Sequence, residues 1–271
     1  MWFVLKDITL GQFFPGDTVI HRLDPRTKLI MTVVYIAALF IAKRYISYAV
    51  MLVFLLTVIA ISKIRPKALL RGLKPLIFII ALSAVLNLFY TDGATVLVHV
   101  WIFKITSEGI VRAVFMVLRI MMLITGTFLL TYTTSPIALT DALERLLSPL
   151  KKIHLPVHEL SMMMYIALRF IPLLIEDTDK IMSAQKARGA DFETGTLRER
   201  AKALLPLLVP LFVSSFRRAD ELAVAMESRC YHGGEGRTRM KQLRYAGRDA
   251  AALCVGAALL GGVITLAAFG L

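Results

Sequence analysis

The side chains whose types and spacing could support catalysis or metal binding are few, and none of them forms a known catalytic pattern. His154 and His158 are four residues apart, but Pro156 lies between them and no cysteine or third histidine is near. We interpret them as ordinary histidines at a membrane interface rather than zinc ligands. The glycine cluster at 233–236 lacks the Lys-Ser/Thr pair of a phosphate-binding loop, and no nucleophile-elbow sequence is present. We therefore expect no catalysis, no metal site and no ATP binding in this chain.

Two arginines stand within the apolar stretch 110–132. Arg112 and Arg119 are seven residues apart, so a helix places them on one face. A charge at that depth costs about 2.5 to 3.5 kcal/mol on insertion scales, and it therefore needs a polar partner or a buried surface. One interpretation is a direct role in a transport pathway. The other is interhelical packing for Arg119 and snorkelling to the membrane surface for Arg112.

A second arginine pattern belongs to an internal repeat at an offset of 41 residues. The matched positions preserve apolar, acidic, small and basic character at helical spacing, so the two segments are predicted to be similar helices. The matched pairs are Ile171 with Phe212, Ile175 with Phe216, Asp179 with Asp220, Ile181 with Leu222, Ala184 with Ala225, and Arg188 with Arg229.

Both copies of the repeat end in a small-Arg-small tripeptide. An arginine in the last turn of a helix is ordinarily explained by the helix dipole. Two equivalent ends framed by small residues favour docking into two similar grooves, which a partner with two-fold or pseudo-two-fold symmetry would supply. The candidate docking residues are Ala187, Arg188 and Gly189 at the first end and Ser228, Arg229 and Cys230 at the second.

These groups lie in a chain whose composition is that of a membrane protein. Of its 271 residues, 57% are hydrophobic and 19% are charged, and the mean hydropathy is +0.69. Soluble domains are about 45 to 50% apolar and about 25% charged. A soluble enzyme, a disulfide-stapled secreted module and a disordered tail are therefore excluded. Cys230 and Cys254 are too few for a disulfide framework, and we interpret them as free thiols.

Five stretches are apolar enough to span a bilayer core, which takes about 20 helical residues with about 17 as a lower limit. Asp24 can cap the first span and Pro25 suits its first turn. The tight turn at Lys43 and Arg44 makes the first two spans antiparallel neighbours. The small residues of 256–262 let a neighbouring helix approach the last span closely. The predicted spans are about 25–42, 45–62, 75–90, 110–132 and 250–271.

The distribution of lysine and arginine sets the predicted orientation. The loop 63–74 holds five basic residues and no acid, whereas 91–107 contains only Lys104 as a base. Basic loops stay in the cytoplasm, so the amino terminus is predicted inside and five spans place the carboxyl terminus outside. Lys43 and Arg44 then fall outside, against the rule. The net charge of +13 is explained by basic segments beside anionic lipid, and no nucleic-acid partner is expected.

Residues 133–247 form the predicted cytoplasmic segment. They carry 17 basic and 13 acidic residues, a mixture typical of a folded helical domain. An amphipathic helix is predicted over 136–150, and longer helices over 157–188 and 201–229. The apolar first halves of the two long helices contain prolines and are flanked by charge, so we interpret them as interfacial helices. The run Met162, Met163 and Met164 has two interpretations. The side chains pack inside the domain, or their flexible thioethers form a surface that accepts several partners.

Three motifs, in this order along the chain, resemble one known family. LDPRTKL (23–29), SAQKARGAD (183–191) and AMESRCYHGG (225–234) are similar to segments of the EcfT family, the transmembrane coupling subunits of energy-coupling factor transporters. The resemblance covers nearly the whole chain. Cys230 departs from the family pattern, because glycine is frequent at this position.

The resemblance implies partners for the sites. Arg188 and Arg229, with their small neighbours, would dock two cytosolic ABC ATPase subunits, which bind ATP and Mg²⁺ in place of this chain. The coupling domain would also hold an integral membrane substrate-binding subunit, for which the methionine run 162–164 is a candidate contact.

The sequence thus predicts an all-α polytopic membrane protein in three parts: 1–132 with four spans, a coupling domain over 133–247 with two long Arg-tipped helices, and a last span in 248–271. Its expected function is a non-catalytic scaffold of the cell membrane that couples ATPases to uptake of a vitamin or transition metal. The alternative is an autonomous secondary transporter with Arg112 and Arg119 in its pathway. Such transporters usually show repeated membrane halves, whereas the repeat here lies in the coupling domain.

Overall fold

The computed structural model describes residues 13–42, 44–90, 96–100, 103–153, 156–190, 192, 196–233 and 243–269. The chain forms two units, the first made of Met1–Ala142 with Leu243–Leu271 and the second of Leu143–Gln242. We describe each unit by itself.

The regular secondary structure of the described residues is helical apart from one short β-ribbon, so the predicted all-α membrane class is confirmed. The ribbon pairs two antiparallel strands where the sequence predicts a loop. The elements are α1 (Pro25–Ile41), α2 (Tyr45–Ser62), α3 (Pro66–Leu73), α4 (Ile77–Tyr90), β1 (Val96–Val100), β2 (Phe103–Thr106), α5 (Ser107–Thr133), α6 (Pro136–Leu147), α7 (Val157–Ala187), α8 (Leu197–Glu227) and α9 (Gly247–Ala268).

Local sequence determines where several helices begin. The carboxylate of Asp24 accepts a hydrogen bond from the backbone N–H of Arg26 (2.9 Å), so the predicted cap of α1 is confirmed. Helix α8 begins at Leu197, four residues before its predicted start. The reason is a capping box, in which Thr196 and Glu199 each satisfy the backbone N–H of the other.

Five helical stretches of the described chain are long and apolar enough to cross a membrane: Tyr45–Ser62, Pro66–Phe89, Ser107–Thr133, Val157–Ala187 and Gly247–Ala268. The predicted number is confirmed, but the set differs in one member. Helix α1 has 17 residues and is about 26 Å long, slightly short of a bilayer core of about 30 Å. Helix α7, which is predicted to lie at the membrane surface, has the length and the apolar first half of a span.

The third span also begins earlier than predicted. The basic segment that was predicted as a loop forms the short helix α3, with Pro66 in its first turn. A 3₁₀ turn at Lys74–Leu76 then leads into α4. Pro75 lies in this turn, and its missing N–H accounts for the interruption between the two helices.

The core of the first unit lies where α1, α2, α5 and α9 meet. Glycine permits the closest approaches, because a Cβ on Gly126 would lie 2.6 Å from the ring of Tyr35 and one on Gly256 would meet a methionine of α1. The predicted close approach to the last span is thus confirmed at Gly256, whereas Gly261 and Gly262 border open space. The buried apolar residues include Ala38 and Leu39 of α1, Met51 and Leu55 of α2, Met122, Leu129 and Tyr132 of α5, and Val263 of α9.

Long-range hydrogen bonds show which helix ends lie together. The Nζ of Lys28, in the first turn of α1, donates to the backbone carbonyl of Thr133 at the end of α5 (2.8 Å). The backbone N–H of Asp24 donates to the carboxylate of Asp249 in the first turn of α9 (2.8 Å). The starts of α1 and α9 and the end of α5 therefore share one side of the first unit, which is the relative arrangement that the predicted topology requires. Which side faces the cytoplasm stays a prediction.

Candidate functional site

Helices α7 and α8 of the second unit lie side by side and run in opposite directions. Near the start of α7, the sulfur of Met162 accepts a hydrogen bond from the hydroxyl of Tyr231, just beyond α8 (2.9 Å). Near the end of α7, the side-chain amide of Gln185 donates to the carbonyl of Pro206, in the first half of α8 (3.4 Å). Residue numbers therefore rise along one helix as they fall along the other. The two arginine ends lie at opposite ends of the helix pair, a relation that the repeat alone did not show.

The contact at Gln185 has a cause in the sequence of α8. Pro210 has no N–H with which to bond the carbonyl of Pro206, four residues earlier. The side chain of Gln185 supplies this donor from α7. A proline that weakens α8 thus also provides a point of attachment between the helices.

An ion pair lies between these two contacts. The Oδ2 atom of Asp177 accepts a hydrogen bond from Nη2 of Arg218 (2.5 Å) and another from the hydroxyl of Ser214 (3.3 Å). The side chains of Asp177 and Arg218 are 14% and 31% exposed, so water screens them less than an ordinary surface pair. The two residues are 41 positions apart, which is the offset of the repeat.

The first arginine end is a Schellman motif. The N–H of Ala190 donates to the carbonyl of Gln185 (3.0 Å), and the N–H of Gly189 donates to the carbonyl of Lys186 (3.0 Å). Gly189 has φ of 86°, in the left-handed region where glycine carries no Cβ penalty. Arg188 is the residue at the apex of this turn.

The second arginine end has the same hydrogen bonds at the equivalent positions. The N–H of Tyr231 donates to the carbonyl of Met226 (3.0 Å), and the N–H of Cys230 donates to the carbonyl of Glu227 (2.8 Å). Cys230 has φ of 56°, so it takes the left-handed position that Gly189 takes in the first end. Glycine, which the resemblance implies at this position, takes this conformation without a Cβ penalty.

All six predicted docking residues are exposed. The structure assigns them to two equivalent helix ends and not to a single cluster. Docking at these ends stays a prediction. The residues are Ala187, Arg188, Gly189, Ser228, Arg229 and Cys230.

The second unit also exposes apolar side chains. Met162 is half-buried against Tyr231, whereas Met163 and Met164 are 56% and 46% exposed. Packing thus accounts for Met162, whereas a partner contact at Met163 and Met164 stays a prediction. Helix α8 adds a continuous exposed stripe between positions 204 and 216, which we call the α8 apolar face: Leu204, Leu205, Leu208, Val209, Phe212, Val213 and Phe216.

The motif LDPRTKL joins helices in the first unit. Arg26 forms a two-pronged ion pair with Asp24 (2.8 and 3.0 Å) and lies 3.9 Å above the ring of Tyr245. Asp249 is 2% exposed, and its carboxylate accepts the backbone N–H groups of Asp24 and Ala246 (2.8 Å each). Sequence reasoning missed Asp249, and the available signal was a lone acid at the start of an apolar span.

His21 lies beside this network. Its Nδ1 is 2.7 Å from the hydroxyl of Thr18 and its Nε2 is 3.2 Å from the carbonyl of Phe14. Burial and the nearby ammonium of Lys28 lower the pKa of His21, because both disfavour the imidazolium. The ring is therefore neutral near pH 7. Its Nε2 carries the proton, since a carbonyl can only accept.

Comparison with known proteins identifies the family. The model of the family described as cobalt transport protein, CbiQ, matches residues 16–240. The chain is 55% identical over 253 residues to the energy-coupling factor transporter transmembrane protein EcfT of Clostridium kluyveri. The aligned region covers 93% of this chain and 94% of the relative. The chain belongs to the EcfT family. Two further EcfT proteins are similar to this chain. That of Thermosediminibacter oceani is 56% identical over 248 residues, which are 92% of this chain and 93% of the relative. That of Bacillus subtilis is 47% identical over 260 residues, which are 95% of this chain and 98% of the relative.

Membership of the EcfT family makes this chain a membrane subunit of an energy-coupling factor transporter. The resemblance inferred from three short motifs is thus confirmed.

The two arginines of α5 have different surroundings in this EcfT-family chain. Arg119 donates from Nε to the hydroxyl of Tyr48 (2.7 Å) and from Nη2 to the carbonyl of Ala42, at the end of α1 (2.9 Å). The guanidinium thus satisfies a helix terminus and links α5 to α1 and α2. Arg112 is exposed. Interhelical packing accounts for Arg119, as one of the two interpretations predicted.

The predicted histidine pair is described only in part, because His154 lies outside the described residues. His158 places Nδ1 3.2 Å from the buried carboxylate of Glu144. Among the residues that the structure describes, no group of three or more His, Cys, Asp or Glu side chains is placed to hold a metal ion.

Proposed function

We propose that this EcfT-family chain is a non-catalytic scaffold that couples ATP hydrolysis by two cytosolic ABC ATPase subunits to an integral membrane subunit that binds a vitamin or a transition metal for uptake. The observation that carries the proposal is the pair of equivalent, exposed arginine ends at the two ends of one antiparallel helix pair. ATP and Mg²⁺ are assigned to the ATPase subunits, because this sequence has no phosphate-binding loop.

The geometry of the helix pair suits two copies of one partner. Arg188 and Arg229 are each 11 residues beyond Asp177 and Arg218, respectively, which meet at the centre of the pair. At about 1.5 Å per residue, each end is about 16 Å from that centre and the two ends are roughly 33 Å apart. Each end offers a planar guanidinium with five donors, framed by residues small enough for close approach. Such a pair fits two grooves related by a two-fold axis.

The apolar surfaces of the second unit are assigned to the substrate-binding subunit and the bilayer. The α8 apolar face and the side chains of Met163 and Met164 are exposed, and exposed apolar side chains that lie together mark a protein or membrane contact. An integral membrane partner is itself apolar, so it can cover such a surface without leaving polar groups unpaired. We assign the amino terminus and residues 133–247 to the cytoplasm, and the carboxyl terminus to the outside of the cell membrane.

Co-purification tests the docking assignment. The complex carrying Arg188→Ala and Arg229→Ala should be inserted in the membrane and retain its substrate-binding subunit, yet release both ATPase subunits. The helix-dipole explanation predicts less than about 1 kcal/mol of helix stability lost at each site, with assembly intact. Recovery of the ATPase pair with the double variant at wild-type stoichiometry and salt resistance would exclude docking at these ends.

A second experiment separates the scaffold from an autonomous transporter. Proteoliposomes that contain only this chain should neither hydrolyse ATP nor accumulate substrate. Uptake by the chain alone would support the secondary transporter. The bonds of Arg119 to Tyr48 and Ala42 favour the scaffold, since they give that arginine a packing role.

A further inference from the structure

We propose that the ion pair between Asp177 and Arg218 is a pivot that sets the separation of the two arginine ends. Residues 178–188 and 219–229, which lead from the pivot to these ends, are called the coupling arms below. The consequence for transport rests on the proposed ATPase docking. The geometry of the pivot concerns this chain alone.

The pivot lies at the two-fold axis that relates the two copies of the repeat. In an antiparallel pair built from two copies of one repeat, equivalent residues can meet at only one level, which is the level of the two-fold axis. Asp177 and Arg218 are equivalent at the offset of 41, and they meet. The two coupling arms therefore have equal length and project in opposite directions from one point.

The coupling arms are built to be stiff. Residues 178–187 and 219–227 contain neither proline nor glycine and are continuous α-helix. The prolines of the two long helices, Pro172, Pro206 and Pro210, all precede the pivot residue of their own helix. Because kinks in helices occur mainly at proline, bending is confined to the halves without an arginine end. A rotation at the pivot is then transmitted in full to each end.

A charge-assisted hydrogen bond is suited to this position because it is directional. The neighbouring contact between Gln185 and Pro206 is a neutral bond at 3.4 Å, and the apolar side chains of Met182 and Leu207, at nearby positions of the two helices, are buried. Apolar contacts tolerate small slips of one helix along another. The bond between Nη2 of Arg218 and Oδ2 of Asp177 determines both the register and the rotation of the two helices.

Separation matters because the two ends act as a bivalent ligand. Two linked contacts bind more tightly than one only when both can engage together, and a mismatch of geometry removes that gain. Loss of the pivot should leave the chemistry of each arginine end intact and weaken their joint binding. We expect the apparent affinity for the ATPase pair to fall by about tenfold or more.

Distance measurements on the full chain in lipid nanodiscs test the pivot without ATPases. Spin labels are placed at Ala184→Cys and Ala225→Cys, which are exposed, equivalent in the repeat and outside the docking tripeptides, in a Cys230→Gly, Cys254→Ala background. We expect one narrow distance distribution. Asp177→Asn or Arg218→Gln should broaden it, and the charge swap Asp177→Arg with Arg218→Asp should narrow it again. Glu176→Gln and Arg217→Gln, at exposed neighbouring positions, are the matched controls.

The outcomes separate the pivot from the docking proposal. An unchanged narrow distribution in Asp177→Asn and Arg218→Gln overturns the pivot. A broadened distribution that leaves ATPase co-purification and uptake at wild-type levels establishes the pivot and rejects simultaneous docking of both ends. If the single variants do not fold, the charge swap decides: a folded chain with a broad distribution overturns the pivot, and one with a narrow distribution supports it.

Discussion

Gly189 and Cys230 occupy the same left-handed backbone position at the ends of two different helices, with φ of 86° and 56°. Each closes a Schellman motif beside the arginine assigned to docking. A Cβ on Gly189 would have no heavy atom within 4 Å, so a substitution there acts through backbone conformation alone. For a residue with a side chain, the left-handed conformation costs roughly 1 to 2 kcal/mol. The second end therefore carries a strain that the first end lacks.

Cys230→Gly should stabilise the second arginine end. Relief of the left-handed strain is expected to contribute about 1 kcal/mol, which corresponds to about fivefold slower opening. The measurement is hydrogen exchange at the amide of Tyr231, whose bond to Met226 closes the motif. Cys254→Ala, at the other exposed cysteine, is the control and should leave this amide unchanged. Faster exchange in Cys230→Gly would show that the cysteine side chain contributes more than its backbone strain costs.

Lysine should replace either docking arginine poorly. Arg188→Ala and Arg229→Ala are each expected to cost at least about 2 kcal/mol of ATPase binding, a value common for interface arginines. Arg188→Lys and Arg229→Lys keep the charge but lose the planar fork of donors, so uptake should remain well below the wild-type rate. Uptake of substrate by cells that express the whole complex measures both effects, with Arg198→Lys as an exposed control. Full uptake by both lysine variants would show that docking needs only a positive charge at these positions and not the planar guanidinium.

Asp249→Ala should weaken the first unit without touching the docking ends. The substitution removes the carboxylate that accepts two backbone N–H groups, that of Asp24 at a buried site and that of Ala246 at a partly buried one. Each unpaired group costs about 1 to 3 kcal/mol, so we expect a loss of about 3 kcal/mol and a Tm lower by roughly 6 to 12 °C. Thermal unfolding of the purified chain in detergent measures this. Arg248→Ala, at the exposed neighbour, should change the Tm little, and an equal effect of both variants would argue against this role for Asp249.

Arg119→Gln and Arg112→Gln should differ although both remove a charge from α5. Arg119 loses two hydrogen bonds, to Tyr48 and to the carbonyl of Ala42, and bonds to charged groups contribute about 1.5 to 3 kcal/mol each. Arg112 is exposed, and substitutions at such positions usually change stability by less than about 0.5 kcal/mol. Thermal stability and uptake are measured together. If Arg112→Gln abolished uptake in a fully stable complex, Arg112 would belong to a transport pathway.

The native thiol of Cys230 reports the orientation of the second unit. In the proposed topology it is cytoplasmic, so an impermeant thiol reagent should modify it only after the cells are permeabilised. Phe269→Cys, at an exposed position near the carboxyl end, should react in intact cells. If α7 alone crossed the bilayer as a sixth span, Cys230 would move to the outside. Modification of Cys230 in intact cells would therefore contradict an interfacial α7.

Features that depend on neighbouring residues could be predicted from the amino-acid sequence. The cap at Asp24, the apolar spans and the tripeptides around Arg188 and Arg229 follow from composition and helical spacing. These features are local, since a helix start or an apolar run of about 20 residues needs no distant partner. The repeat offset of 41 could be recognised for the same reason, because it compares residue types and not positions in space.

How these local features combine became visible in the folded chain. Helices α7 and α8 run in opposite directions, and Asp177 pairs with Arg218, which is 41 positions further along the chain. The backbone N–H of Asp24 bonds to Asp249, which is 225 positions away. One-dimensional periodicity carries no information about which helix faces meet, and an isolated Asp249 looks like any acid in a first helical turn. Whether α7 lies on the membrane surface or spans the bilayer likewise does not follow from its residue pattern. Its apolar half satisfies both, because the free energy of that half depends on what covers it, bilayer or protein, and not on the order of its residues.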